Sequence, residues 1–480
     1  MIRIPQFKDK SAAVFGLGAS GRAAVAALGA SGAQIVAWDD SDAARDALVA
    51  DPRMGDFAAA IDLAPVDEWN WEATDALVLS PGVPLHHPAP HPVVAAARAR
   101  GVEIIGDMEL IARALGNLRA DARPKIVAVT GTNGKSTTSA LIAHMLAACD
   151  AKVHLGGNIG RPALELPLGA GGETYVLELS SYQLDLTTSL HADVAVFLNL
   201  TADHIDRHGD MEGYAEAKKR IFNNQITEDV AIIGVDDDWG QSICTEVAAR
   251  GGAWVIPIAV DSALGRGVFV AGGRLFANGD GPARAMVDLS EAAALRGAHN
   301  WQNAAAAFAA CDAVLPGRRE DLAQALLSFP GLAHRQEQVG RKGDILFVND
   351  SKATNPDAAA KALASYERIW WIAGGRAKEG GFDALASHLD RVEKAYLIGE
   401  AAQALGTIVE PHAPAAYCGD LADAVAKAAR DAAAAAGEGE RVVLLSPACA
   451  SFDQYKNFEA RGDHFRDIVA AALNEDGAAA

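Results

Sequence analysis

The stretch Lys125 to Leu146, KIVAVTGTNGKSTTSALIAHML, decides the fold. Ile126-Val127-Ala128-Val129 is a short, continuously apolar run that fits a strand buried on both faces. Thr130 to Ser136 then turns sharply, and Thr137 to Leu146 has the apolar spacing of a helix. A glycine-containing loop between strand and helix leaves backbone N–H groups aimed outward at a helix N-terminus, where a polyphosphate binds well. Gly131, Thr132, Asn133, Gly134, Lys135, Ser136 and Thr137 are the residues of that junction. Lys135 is placed to reach the terminal phosphates of a nucleotide, and the Ser136 hydroxyl to hold Mg²⁺. The general pattern G-x-x-x-x-G-K-[ST] would put glycine at 129, where Val129 stands; the first glycine is Gly131. With Gly-Lys-Ser-Thr between strand and helix, the junction reads as a nucleoside triphosphate site rather than a turn with a solvated lysine.

Upstream, a second phosphate signal appears. Ala12 to Phe15 reads as a strand, Gly16-Leu17-Gly18-Ala19-Ser20-Gly21 fits G-x-G-x-x-G, and Arg22 to Gly29 begins a helix. Gln34 to Trp38 is a second strand ending at Asp39-Asp40, the spacing at which a dinucleotide fold carries its ribose-binding acid. Alone, this segment would read as an NAD-dependent dehydrogenase, yet the glycines only require close approach of some phosphate or ribose. Ala76 to Leu79 is a further strand ending in Ser80-Pro81-Gly82, a loop at a sheet's carboxyl edge where α/β folds place ligands. The run Leu85 to Pro92 contains three histidines, but its prolines impose an extended backbone, so it reads as a surface loop rather than a metal site. Gly116 to Pro124 reads as a linker.

Downstream of the phosphate loop, Tyr175 to Leu179 is an apolar strand with one acid, Glu178. A carboxylate buried there needs a cation, and Mg²⁺ is the natural one; a solvated edge strand is the alternative. Ala192 to Asn199 is another strand, delivering Asp203 and His204 as metal-ligating or acid–base groups. Tyr214 to Asn223 is a helix with adjacent Lys218 and Lys219, which on composition alone is a solvated basic face. From Val230 to Leu289 only short strands and glycine turns are expected. Asn300 and Asn303 share one face at the start of an alanine-rich helix, suited to a base or ribose, or to simple capping. After Phe329-Pro330-Gly331, strands at Ile345–Val348, Arg368–Ala373 and Val442–Leu445 each end in a polar loop. They form a second doubly wound unit whose loops bring Lys352, Lys378 and Ser451 toward anionic groups.

Composition bounds these readings. At 480 residues the chain needs two to four domains, and half of its residues are hydrophobic with charge plentiful, as in soluble globular proteins. A net charge of −20 argues against DNA or RNA as partner. Five dispersed cysteines without a C-x-x-C pair read as reduced thiols. MIRIPQFKDK lacks the apolar core of a signal peptide, and no run approaches about 18 apolar residues. A cytoplasmic protein with no membrane insertion is expected. The α/β class thus resolves into three domains: a Rossmann-like domain over 1–121, a central P-loop ATPase-type parallel sheet over 122–331, and a Rossmann-like C-terminal domain over 332–480.

Taken together, the motifs resemble the Mur ligases, the ATP-dependent amide-bond ligases of bacterial cell-wall precursor synthesis. TGTNGKST is shared with a wider superfamily that includes folylpolyglutamate synthetases. More specific are the S-P-G loop, LELSSYQL at Leu177 to Leu184, DHIDRHG at Asp203 to Gly209, DSKATNP at Asp350 to Pro356, and SPACASFDQYKNFEARG at Ser446 to Gly462. The set looks most like the D-glutamate-adding branch. The resemblance implies ATP, two Mg²⁺ ions, UDP-N-acetylmuramoyl-L-alanine and D-glutamate as ligands, and a monomer. It implies that Gly18, Ala19, Ser20, Asp39, Ser80, Gly82, Asn158 and His204 hold the uridine diphosphate substrate in place of a nicotinamide cofactor. The family often carries arginine two residues after the Asp39 position, where Ser41 stands here. Asn300, Asn303, Arg335 and Asp350 match nucleotide-contacting positions; Lys352, Thr354, Lys378, Ser451 and Phe458 match the glutamate and transfer site. Ser136, Glu178, His204 and Lys218, the last as a carbamate, match the metal positions, which overrides the solvated reading of Lys218. Lys219, about 100° round the helix, should not share that role.

Overall fold

A computed structural model of the chain describes residues 2–279, 281–377 and 381–477. Three sheets follow one another. The first contains β1 (Ser11–Phe15), β2 (Gln34–Trp38), β3 (Ile61–Leu63), β4 (Ala76–Leu79) and β5 (Glu103–Ile105), all parallel, in the order β3-β2-β1-β4-β5. Helix Ala19–Gly29 follows β1 directly, so the glycine loop lies where the strand order reverses. Gly21 is needed there for close packing: a Cβ would stand 1.8 Å from the Gly16 carbonyl oxygen.

The second sheet contains β6 (Lys125–Thr130), β7 (Val153–Gly157), β8 (Thr174–Glu178), β9 (Val194–Phe197), β10 (Val230–Gly234), β11 (Trp254–Val260), β12 (Gly267–Ala271), β13 (Arg274–Asn278) and β14 (Arg284–Asp288). Its order is β14-β13-β12-β11-β10-β9-β6-β8-β7. The strands from β7 to β12 are parallel, as expected of a P-loop sheet, while β13 and β14 close that edge as antiparallel additions. Val127, Ala128 and Val129 are fully buried, the outcome the apolar run required. Between β10 and β11 runs a helix, Asp238–Arg250, that the expectation of strands and turns over 230–289 left out. Its signals are local: the Asp237 carboxylate accepts from the Gly240 N–H at 2.7 Å, and Gly251 ends it at φ +68°.

The third sheet contains β15 (Glu337–Lys342), β16 (Ile345–Asn349), β17 (Ile369–Gly374), β18 (Val392–Ile398), β19 (Ala415–Tyr417) and β20 (Arg441–Leu445), in the order β15-β16-β20-β17-β18-β19. Only β15 is antiparallel, and the three strands expected from sequence, β16, β20 and β17, are neighbours at its centre. The chain forms two compact units, residues 1–288 with 302–328, and residues 289–301 with 329–480. The first two sheets fall in one unit because a single apolar cluster runs through both, from Ile4 and Leu28 by way of Leu110 and Ile111 to Leu164, Leu177 and Phe197. All five cysteines are free thiols. Among the described residues no helix is long and apolar enough to cross a membrane.

Candidate functional site

The phosphate loop lies at the carboxyl end of β6, whose neighbours β8 and β9 bring Glu178 and the Asp203–His204 turn to the same edge. Helix Lys135–Ala148 begins immediately after Gly134, which sits at φ +86° with its Cβ position 2.2 Å from the Asn303 amide oxygen. Only glycine fits there. Lys135 Nζ donates to the Gly131 and Thr132 carbonyls at 3.0 and 2.8 Å, folding the lysine over its own loop. The loop is braced from β9: Thr132 N donates to the Asn199 carbonyl at 3.0 Å, and Asn133 N to the Asn199 side-chain oxygen at 2.9 Å.

A cavity of about 250 Å³ opens beside this loop, lined by Gly82, Lys135, Asn158, Tyr182, His204 and Lys218 among others. Glu178 is interior, between β6 and β7, and only 2 % exposed, so the solvated-edge alternative fails. One of its oxygens, Oε1, accepts from Asn158 Nδ2 at 2.9 Å; the other, Oε2, is buried with no hydrogen-bond partner. An orphaned carboxylate oxygen beside a phosphate loop fits a hard cation. Among the described residues no preassembled group of three or more His, Cys, Asp or Glu could hold a metal alone. That donor set matches the way Mg²⁺ binds, through one or two carboxylates together with substrate phosphates.

The Lys218 side chain overturns the solvated-face reading of its helix. Lys218 is 1 % exposed, donates to the Gly131 carbonyl at 2.8 Å and lies 4.7 Å from the Tyr214 ring centroid. Burial, with Lys135 adding to it, holds its pKa well below the ordinary lysine value. Lys219 is buried too, but turns away to Glu216 and Glu246, at 2.5 and 2.6 Å. His204 has a left-handed backbone, φ +55°, rare for a residue with a side chain. Burial, against the pull of Asp203, lowers its pKa, which favours the neutral, metal-ligating imidazole.

A second cavity of about 300 Å³ adjoins, lined by Ala19, Ser20, Ser80, Pro81, Gly82, Asn158 and Gln183 among others. Pro81, Gly82 and Asn158 line both cavities. Of the residues expected at a diphosphate substrate, Ala19, Ser20, Ser80, Gly82 and Asn158 are therefore together. Gly18 immediately precedes the helix, and Asp39 shapes the loop from behind, accepting from Leu17 N at 2.6 Å and Ser41 N at 2.8 Å. Gln183 and the fully buried Asp107 behind it were not singled out from sequence. Asp107 bonds Gln183 and Ser20, and burial raises its pKa. The signal was available in Ser180-Ser181-Tyr182-Gln183, an S-x-x-Q capping box in which the Gln183 side chain returns to Ser180 N.

In the second unit, the loops after β16, β17 and β20 are tied together by Arg461, 1 % exposed. Its guanidinium donates to Ser351 Oγ and O, Gly374 O and Cys449 O at 2.9 to 3.4 Å. Burial brings its pKa down to about 10. Lys352 Nζ sits 4.1 Å from the Phe458 ring centroid, Ser351 Oγ donates to the Phe458 carbonyl, and Thr354 N donates to the Lys352 carbonyl at 2.7 Å, so Lys352, Thr354 and Phe458 share one region. Ser451 is buried in the loop that pairs with Arg376, through Ala450. Lys378 lies outside the described residues. Asp350 accepts from Ser446 Oγ at 2.7 Å and Gln336 N at 3.2 Å, and burial pushes its pKa up to about 7. Arg335 stands between His334, at φ +61°, and Gln336, at φ +46°. Asn300 donates to the Arg296 carbonyl at 2.9 Å; in the first unit, Asn303 accepts from Thr138 Oγ1 at 3.1 Å.

Residues 10–106 match the family model described as Mur ligase MurD-like, N-terminal domain, residues 129–311 that of the Mur ligase middle domain, and residues 334–449 that of the Mur ligase, glutamate ligase domain. A protein of Phenylobacterium zucineum named UDP-N-acetylmuramoylalanine--D-glutamate ligase is 50 % identical over 470 residues, 98 % of each chain. A protein of the same name from Caulobacter vibrioides is 51 % identical over 481 residues, the whole of both chains. Among solved structures, UDP-N-acetylmuramate-alanine ligase of Thermotoga maritima superposes with a TM-score of 0.54 at 16 % identity, covering 96 % of this chain and 99 % of that one. That likeness speaks for the fold alone; the sequence matches extend over the motifs as well, and the chain belongs to the Mur ligase family.

Proposed function

We propose that the chain joins D-glutamate to UDP-N-acetylmuramoyl-L-alanine in an ATP-driven ligation, a step of peptidoglycan precursor synthesis. The observation that carries this reading is the shared wall of the two cavities: Pro81, Gly82 and Asn158 belong both to the cavity beside the glycine loop and to the one beside Lys135. A nucleotide-sugar lying in the first would direct its terminal carboxylate into the second. Relatives about half identical over the full chain carry the name of this activity.

A carboxylate does not react with an amine at neutral pH, because the leaving group would be oxide. Transfer of the γ-phosphoryl group of ATP to the lactyl-L-alanine carboxylate gives an acyl phosphate and ADP. The D-glutamate amine then attacks the acyl carbon; the tetrahedral intermediate expels phosphate, and the amine proton is lost. Two anions meet in the first step, so cations must neutralise them. Lys135 and the loop N–H groups from Gly131 to Thr137 would hold the β,γ-phosphates. Asn300, Asn303, Arg335 and Asp350 would contact the rest of the nucleotide, and Gly18, Ser20, Asp39 and Ser80 the uridine diphosphate. Lys352, Lys378, Thr354, Ser451 and Phe458 would hold glutamate and the developing oxyanion.

Mg²⁺ supplies charge neutralisation at the phosphoryl group when bound, and two sites are assigned: Ser136 with Glu178, and His204 with Lys218 as a carbamate. Burial lowers the Lys218 pKa and so favours the unprotonated amine, the nucleophilic form toward carbon dioxide, and the carbamate offers the anionic oxygens Mg²⁺ prefers. We assign the domains to 1–121, 122–331 and 332–480, and take the protein to act as a cytoplasmic monomer. Phosphate release with Mg-ATP and UDP-N-acetylmuramoyl-L-alanine, measured separately with D-Glu, L-Glu, L-Ala and L-Lys, tests the reading. Release with D-Glu alone is expected; release with another amino acid would move the chain to a sister activity.

A further inference from the structure

Arg207 sits within the Asp203–Gly209 motif and has no part in the chemistry above. Its guanidinium reaches from the turn after β9 to the loop after β4. Nη1 donates to the Gly82 carbonyl at 2.9 Å, and Nη2 to the Val83 and Pro81 carbonyls at 3.0 and 3.4 Å. Three successive carbonyls converge on one planar fork, a pattern that a lysine ammonium, as a point donor, cannot reproduce. The fork is held flat by Tyr182, whose ring centroid lies 4.5 Å from the guanidinium carbon. Tyr182 in turn stacks on His208 at 5.5 Å and packs on His204 at 5.0 Å.

Two further contacts hold the same loop, one on the same turn and one on the end of the helix Ser181–Asp185. The His87 ring lies against Gly209, where a Cβ would stand 2.9 Å from Nε2 and where φ is +86°. His86 Nε2 is 3.4 Å from Asp185 Oδ2. The histidine- and proline-rich run that reads as a surface loop is thus docked at one end.

We propose that Arg207 is a positioning residue that fixes the Pro81–Val83 loop relative to His204, so that nucleotide-sugar binding and carboxylate activation share one frame. This rests on the substrate assignment made above. The C=O of one residue and the N–H of the next point in opposite directions across a trans peptide. By holding the Pro81 carbonyl, Arg207 turns the Gly82 N–H away from itself, and Gly82 lines both cavities. A backbone donor so oriented serves an anionic ligand such as a diphosphate or carboxylate. The position also carries a cost, since Arg207 Nε is buried without an acceptor.

The test compares Arg207→Lys and Arg207→Ala with the wild-type protein, by calorimetric binding of UDP-N-acetylmuramoyl-L-alanine and by steady-state kinetics. Arg207→Lys keeps charge and stem, so it remains informative where Arg207→Ala folds poorly. Kd and KM for the nucleotide-sugar should rise about tenfold or more in Arg207→Lys, with KM for ATP and the melting temperature unchanged. Added guanidinium ion at low millimolar concentration should partly restore Arg207→Ala. Wild-type affinity in Arg207→Lys, or equal rises in KM for both substrates, would overturn the role. Failure of the wild-type protein itself to bind the nucleotide-sugar would overturn the substrate assignment, and the role built on it.

Discussion

Lys135 and Lys218 share one acceptor: their side-chain nitrogens lie 3.0 and 2.8 Å from the Gly131 carbonyl oxygen. Two cations so close repel, and Lys135 adds to burial in holding the Lys218 pKa well below the ordinary lysine value. Carbamylation would turn that repulsion into attraction and free Lys135 for phosphate. Lys218→Arg retains a cation but cannot carry a carbamate, so turnover should fall roughly a thousandfold. The wild-type protein should lose activity in carbon-dioxide-depleted buffer and regain it with bicarbonate, as the variant should not. Full activity after exhaustive depletion would refute the carbamate.

Glu178 should respond differently to activity and stability measurements. Replacing it with Gln leaves an oxygen to accept from Asn158 while removing a charge whose second oxygen has no partner. A buried carboxylate with one oxygen unpaired is costly, so Glu178→Gln should melt at or above the wild-type temperature without nucleotide. Its Mg-ATP-dependent turnover should nevertheless collapse by roughly two orders of magnitude or more. Melting curves and phosphate release on one preparation check both; a destabilised, active variant would remove Glu178 from the metal site.

The phosphate loop, its strand and its helix were readable because an apolar run, a glycine turn and Gly-Lys-Ser lie within a few residues. Glu178 was readable for the opposite reason, an acid among residues that must be buried. Lys218 was legible only through the family resemblance: by composition adjacent lysines look solvated, and its three-dimensional neighbours Gly131 and Tyr214 show that it points inward. Arg461 escaped notice because its acceptors, Ser351, Gly374 and Cys449, come from three distant loops. Helix Asp238–Arg250 was missed among strands although its cap residues were present. Local chemistry was legible, and convergence across the chain was not.

Asp350 should make the stability of the second unit depend on pH. Burial raises its carboxyl to about 7, with Ser446, Gln336, Arg335 and Arg461 only partly offsetting. The folded form therefore binds a proton that the unfolded chain has released, and stability falls as pH rises from about 4 to about 7. Asp350→Asn should remove this loss, gaining roughly 3–4 kcal/mol at most above pH 7 and little near pH 4. Melting temperatures of both proteins across that range give the comparison. The same variant should bind ATP about tenfold more weakly; unchanged affinity would remove Asp350 from the nucleotide site.

Glu109 tests what joins the first two sheets. Its side chain is fully buried and accepts from Thr188 N at 2.8 Å, Ser189 N at 2.9 Å, Ser189 Oγ at 2.8 Å and Arg113 Nε at 2.9 Å. Burial alone would raise its pKa, but the Ser189 and Thr188 N–H groups and Arg113 together hold it below the ordinary value. A depressed carboxylate contributes stability above its unfolded pKa and loses it as pH falls through the folded one. Glu109→Ala removes the acceptor of the Thr188 and Ser189 N–H groups and the partner of Arg113, and should cost about 1–3 kcal/mol at pH 7, a difference that shrinks below about pH 4. Hydrogen exchange locates the effect: the Thr188 and Ser189 amides should exchange faster in the variant, while those of the third sheet keep wild-type rates. Uniform acceleration across the chain would mean global destabilisation, and Glu109 would then be no more than a core residue.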